Sequence, residues 1–505
     1  MSTVDNANAT QEQEYEQESS GNKRMLFNVV PSWVVSFVGH MLLIVVLALM
    51  VLPRKKEIST ALEAYAGPSE NVESIDLDMA DFEDSEIEEL TESVIDEVVP
   101  VEVETVTDFE PLAALDPAEF VGAEEMVFEE SAFGSFSDVA GGGNETGSRT
   151  GAGKASALAK YGGTKASEEA VRLGLQWIVK HQLPDGSWNF DHQKGPGGFR
   201  DSPDPGELSE ARLGATALAL LPLLGNGQTH KVGKYKDSVR AGLDFLMKNA
   251  KRGGNGLSYH EQGGSMYSHG LCGIVFCESF ALSEDSKLAP FAQGTIWFIE
   301  EAQDTSGGGW RYSPRQRGDT SAVGWQVMAL KSAKLSGLSI KKRTWQLVDK
   351  YLKNVSNTNG SFYGYLDAPD SQSRKSPACT SIGLLCRMYM GWDKDTPGLI
   401  EGVSYLGGKG PSPSDMYYNY YATQVMKQYG GKDWDKWNKK MRDYLVKEQS
   451  KSGNSAGSWH LGGKNHSTKR GGRLYETAMA VMTLEVYYRF LPLYSDKSIS
   501  DDFEL

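Results

Sequence analysis

The residues best placed for acid–base or anion chemistry stand at the starts of small-residue helical stretches. Asp319, in Gln316-Arg317-Gly318-Asp319-Thr320-Ser321, and Glu476, in Tyr475-Glu476-Thr477, are the carboxylates found there. Either could trade a proton if burial held its pKa near the working pH. His269, Arg315 and Arg317 are the basic counterparts. A helix N-terminus offers free N–H groups to an anion, and arginine adds a planar fork of donors. The same residues fit plainer uses, with His269 and Asp319 as caps or first-turn residues and the arginines solvated. Two acids of unstated separation do not define a glycosidase. Cys272, Cys277, Cys379 and Cys386 have neither Cys-x-x-Cys spacing nor a suitably spaced His. They read as small buried apolar residues, so neither a metal site nor a cofactor is expected.

These residues are positioned by an internal repeat. Val171, Leu175 and Ile178 match Val239, Leu243 and Leu246, each set marking one apolar helix face. Aromatic residues sit at equivalent places in six such helices, at Trp177, Phe245, Trp297, Tyr351, Tyr405 and Tyr444. A second helix, richer in small residues, follows each: 215–224, 269–282, 319–334, 379–390, 420–429 and 475–491. A charged set and a small-residue set suit two concentric rings, so the fold class expected is all-α, an (α/α)6 toroid of six helical hairpins. The connections carry a further signature, Gln182-xxx-Gly186-x-Trp188. It recurs with insertions as Gln303, Gly308-Gly309-Trp310 and as Gln449, Gly457-Ser458-Trp459. Glutamine can bond free backbone groups at a helix end, glycine permits the reversal, and the aromatic covers the junction. These are structural staples rather than catalytic residues.

The staple repeated around six hairpins resembles the squalene/hopene cyclase and protein-prenyltransferase β-subunit superfamily over roughly 165–495. That resemblance implies the toroid and, for active members, two chemistries. Class II cyclases protonate an alkene with Asp-x-Asp-Asp; here only the last Asp remains, Asp319, and Gly318 stands where the donor would be. Arg317 beside Asp319 is expected to keep that carboxylate ionised. Prenyltransferases bind zinc with Asp-x-Cys; Asp319-Thr320-Ser321 has Ser in place of the thiolate. The resemblance implies a diphosphate held by His269, in Tyr267-Ser268-His269-Gly270, with Arg315 and Arg317 near the next helix start. The arginine spacing does not match that family's residue for residue.

Outside the ring the chain divides sharply. Residues 57–148 carry 27 acids and no Lys or Arg, whereas 149–505 carry 46 bases against 35 acids, leaving +11. Trp33 to Leu52 is uncharged and, at about 30 Å as a helix, long enough to span a bilayer. The expected order is a disordered tail at 1–30, a transmembrane helix at 31–53, an acidic disordered linker at 54–160, the toroid at 161–495 and an acidic tail at 496–505. Ser36 and His40 resemble the paired residues in the anchor of TonB-type energy transducers, and equally fit local bonding within a helix. Flanking bases tilt towards a cytoplasmic body and the TonB-like look points the other way; the expectation taken is a single-pass protein with an extracytoplasmic toroid. The bases of the body are dispersed and accompany no nucleic-acid motif, so nucleic acid is not an expected partner. Two functions follow: an isoprenoid-handling protein with a prenyl or lipid-like ligand in a central cavity, or a non-catalytic module for a protein or polysaccharide partner. A deep aromatic cavity ringed by bases favours the first; a ring plugged by side chains favours the second.

Overall fold

The computed structural model describes residues 148–196, 202–369, 376–462, 466–490 and 493–494. The expected tail, transmembrane helix and nearly all of the linker lie outside these residues, as does the segment 496–505. No helix among the described residues is long and apolar enough to cross a membrane. An arm helix α1 (Gly151–Tyr161) precedes six hairpins. Their first helices are α2 (Lys165–Lys180), α4 (Lys236–Lys248), α6 (Ala289–Ala302), α8 (Lys342–Asn354), α10 (Pro397–Lys409) and α12 (Gly431–Glu448). Their second helices are α3 (Arg212–Gly225), α5 (Ser265–Ser283), α7 (Thr320–Leu335), α9 (Pro377–Tyr389), α11 (Met416–Tyr429) and α13 (His466–Leu484). A short α14 (Val486–Arg489) follows, and a two-stranded antiparallel hairpin, β1 (Lys251–Gly253) and β2 (Gly256–Ser258), joins α4 to α5.

The two helix sets differ as their sequences require. In α8 the buried residues are Thr344, Trp345, Val348, Tyr351 and Leu352, one stripe on a wet helix. In α3 every residue from Leu213 to Gly225 is buried, so this helix has no solvent face. Each second helix packs on the next, α3 on α5 and so on to α13, and α13 packs back on α3. Outside them α12 meets α2. The annulus is closed, an (α/α)6 toroid with the second helices inside.

All three staples are built alike. Gln182 Nε2 donates to the Gly186 carbonyl at 2.8 Å and to Ser238 of the next outer helix at 2.9 Å. Gln303 donates to Gly308 and to Thr344 of α8. Gln449 donates to Gly457 at 2.9 Å and to Ala170 of α2 at 2.8 Å, joining the last outer helix to the first. The indoles of Trp188, Trp310 and Trp459 each donate to a carbonyl near the end of the preceding helix, at Ile178, Ile299 and Leu445. Gly186, Gly308 and Gly457 have φ of 88°, 87° and 93°, and a Cβ on each would meet the carbonyl of Ala241, Leu347 or Leu173. Gly308→Ala is therefore expected to cost about 2 kcal/mol from left-handed strain plus the clash, read as a lower urea midpoint at unchanged slope.

The folded body begins earlier than the expected residue 161. Arg149 is buried, and α1 is held by Trp434, Asn438 and Arg442 of α12, which donate to the Tyr161 and Gly162 carbonyls. The bonding partners of Arg149 all lie far along the chain, at Leu224, Glu278 and Arg489.

Candidate functional site

Alternation of outer and inner helices makes all six inner helices run the same way, so their N-termini gather at one mouth of the ring. Six sets of free N–H groups must be satisfied there, and buried carboxylates do much of this. Asp319 caps α7 through Oδ1, which accepts from Ala322 N at 2.7 Å. Asp415 caps α11 by accepting from Tyr418 N. Glu261, from the loop before α5, accepts from Leu213 N at 2.9 Å and Gly214 N at 2.7 Å and so caps α3. Burial pushes the carboxyls of Asp319, Asp415 and Glu261 up, against those hydrogen bonds.

Asp319 is distinctive among these. It is completely buried, and Oδ2 has no well-formed hydrogen bond among the described residues. Arg311 Nε lies 3.7 Å from that oxygen. Burial raises the Asp319 pKa to about 6, with the Ala322 N–H, the Arg311 charge and the Tyr365 hydroxyl opposing the rise. Phenols surround the carboxyl: the Tyr312 and Tyr365 hydroxyls are bonded at 2.8 Å, and Ser321 and Tyr417 share a hydroxyl contact at 2.9 Å. Burial raises Tyr267, Tyr365 and Tyr417 further above the ordinary phenol range, with the Asp319 charge adding to it. The mouth thus holds one carboxyl able to exchange a proton near pH 6, a guanidinium at its side, and a wall of hydroxyl-bearing rings.

The expected basic residues are committed to partners other than Asp319. His269 is fully buried; its Nδ1 accepts from Tyr259 N at 3.1 Å, and its Nε2 stands 3.1 Å from the Thr295 carbonyl. Both ring nitrogens are committed to backbone, and burial lowers its pKa to about 3, so the ring is neutral and offers no charge to an anion. Arg315, at φ 60°, ties down the end of α6 through the Glu301 and Ala302 carbonyls. Arg317 pairs with Asp367 and donates to Leu366 O at 3.1 Å. Each of the three has its own partners, and none is shared among them. Nor does Arg317 hold Asp319 ionised: Arg311 is its charged neighbour, and burial outweighs it. Glu476 is buried, accepting from Leu461 N and Thr468 Oγ1, both at 2.8 Å, with His460 Nδ1 3.0 Å away.

Sequence reasoning missed Arg311, Tyr267 and Tyr365. Arg311 directly follows the staple residue Trp310, and that adjacency was the one available signal. The four cysteines are buried and free, and burial raises the Cys379 and Cys386 thiols to about 12. No group of three or more His, Cys, Asp or Glu that could hold a metal occurs among the described residues.

Below the mouth the axis is filled. Trp325 of α7 stacks on Tyr420 at 5.7 Å and meets Tyr421 edge-on at 5.6 Å. These three side chains are 3%, 1% and 1% exposed, so no solvent-sized channel runs past them.

No family model matches the chain, and no curated protein does. Solved structures similar to it include an α-1,6-mannanase, GH76A of Salegentibacter sp. HEL1_6, in complex with α-1,6-mannotetrose, at 11% identity and TM-score 0.46, covering 64% of this chain and 99% of that one. A glycoside hydrolase family 76 protein (mannosidase), Bt3792 from Bacteroides thetaiotaomicron, aligns at 12% identity and TM-score 0.46, covering 65% and 99%. The type II terpene cyclase MstE from Scytonema, in complex with merosterolic acid A, aligns at 12% identity and TM-score 0.42, covering 64% and 96%.

Proposed function

We propose that this chain is a binding toroid whose shallow, tyrosine-walled mouth takes a hydroxyl-rich partner of the polysaccharide class. The observation that carries this is the aromatic plug of Trp325, Tyr420 and Tyr421. It leaves no room along the axis for a prenyl chain, while Tyr312, Tyr365 and Tyr417 line the mouth above it, their hydroxyls bonded to one another or to Ser321. Tyr312 is 43% exposed, the single aromatic ring so displayed among the described residues, and suits stacking on a sugar. We place the toroid outside the cytoplasm on the expected span at 31–53, with the acidic linker setting its reach. A second reading rests on Asp319. A buried carboxyl with a pKa near 6 also suits proton transfer to an isoprenoid-like ligand, given movement of the plug.

Affinity electrophoresis against a panel of soluble polysaccharides tests the proposal on the detergent-extracted full chain. At least one glycan is expected to retard the protein, and Tyr312→Ala to weaken that retardation roughly three- to tenfold, the worth of one aromatic contact. Retardation by none, together with thermal stabilisation by geranylgeranyl diphosphate, would replace this reading with the isoprenoid one.

A further inference from the structure

The opposite end of the ring is sealed and strongly cationic. The C-termini of the inner helices gather there, and the arm carrying Arg149 closes over them. Two of its four cations are accounted for. Arg149 donates to Glu278 at 2.9 Å and to the Leu224 and Arg489 carbonyls. Arg489 donates to the Leu221 carbonyl at 2.6 Å and to Glu278 at 3.1 Å, with Glu485 3.6 Å away. Helix-end carbonyls and Glu278 take up the terminal nitrogens of this pair, as the convergent negative helix ends favour.

Lys331 and Lys427 are not explained in this way. Both are more than nine-tenths buried, and neither lies within ion-pairing distance of a carboxylate among the described residues. An ammonium carries three donors. Lys427 Nζ donates once, to the Phe490 carbonyl at 2.5 Å, and rests 4.7 Å from the Tyr161 ring. Lys331 Nζ has no acceptor among the described residues and sits 4.5 Å from the Tyr389 ring. Near the arginines, the Tyr420 hydroxyl and the Nε of both Arg149 and Arg489 are buried without hydrogen bonds, as are both carboxylate oxygens of Glu485. Glu485 lies against Arg489 and pairs with neither lysine, so the two ammoniums keep donor capacity that no carboxylate takes up.

We propose that the sealed end of the ring, between Lys331 and Lys427, binds a small oxyanion of the phosphate type. Its oxygens would take the free donors of both ammoniums. Closure by α1 and α14 excludes a tailed headgroup and selects a free ion. Absent a counter-ion, burial lowers Lys331 to about 8 and Lys427 to about 7. Glu278 from α5 raises Lys331 and Arg149 from the arm lowers it; Lys331 itself and Lys160 of α1 lower Lys427 further. Oxyanion binding therefore weakens as pH climbs through 8.

The test is the thermal midpoint of the full chain in inorganic phosphate against chloride at equal ionic strength. A rise of about 2–4 °C is expected at pH 6.5, shrinking to nothing by pH 9.5. Lys331→Met should abolish the rise, and Lys331→Arg should retain most of it. No rise, or an equal rise in Lys331→Met, overturns the proposal, the second because surface bases would then be responsible. A second readout holds if Lys331→Met fails to fold. Acetylation at pH 7.0, mapped by mass spectrometry, should modify Lys331 and Lys427 at least threefold more slowly in phosphate, and equal rates would also overturn the proposal.

Discussion

Trp459→Ala is expected to lower the unfolding free energy by about 3–5 kcal/mol, the usual cost of emptying a buried tryptophan site. The indole is completely buried and donates to Leu445 O at 2.7 Å, while its backbone N–H meets Thr477 Oγ1 at 3.1 Å. Its ring lies against Gly174 of α2, where an added methyl group would strike it. Trp459 thus stands at the seam where the last hairpin meets the first, beside the Gln449–Ala170 bond and the Trp177–Asn454 bond of 3.0 Å. Trp188→Ala removes an equally buried indole away from the seam and should cost a similar amount. The two variants should differ in cooperativity. A weakened seam lets α2 leave before the remaining hairpins, so Trp459→Ala should show a shallower urea slope and early proteolytic cutting in α2. A loss below about 1 kcal/mol, or slopes that match, would mean the annulus is held shut elsewhere.

The second large effect depends on pH. Asp319 titrates near 3.9 in an unfolded chain and near 6 in the fold. Between those values the folded state keeps a proton that the unfolded state has released. Stability from this residue is therefore complete below about pH 4 and falls as pH rises through 6, by about 3 kcal/mol in all. Asn cannot ionise and still caps a helix well. Asp319→Asn is accordingly expected to be more stable than the natural chain at pH 7.5, by about 2–3 kcal/mol, and equal to it near pH 4. Urea unfolding at the two pH values decides the matter. A variant less stable at pH 7.5 would show that the Arg311 charge, 3.7 Å away, outweighs burial.

Six hairpins were legible because their signals are local. An apolar stripe at helical spacing, an all-buried partner helix and a Gln–Gly–Trp connection each act within about twenty residues, and all six aromatic markers fall inside the observed outer helices. The last inner helix was drawn too long: α13 ends at Leu484, and α14 turns Arg489 into the sealed end. Asp319 was legible as a helix start, since capping is a property of the first turn. What Asp319 experiences was not legible, because burial comes from Tyr365 and Tyr417 on other repeats.

The chain by itself determined the helix pairs and their staples, in which each residue's partner is a few turns away or one repeat onward. The tertiary structure alone decided which polar groups share a site. Closure brings Gln449 to Ala170, 279 positions apart, and Arg149 to Arg489, 340 apart. Charges and desolvation act through space, so Arg311 rather than Arg317 faces Asp319, and His269 is neutral inside the wall. No spacing along the sequence encodes those distances; the closing of the ring creates them.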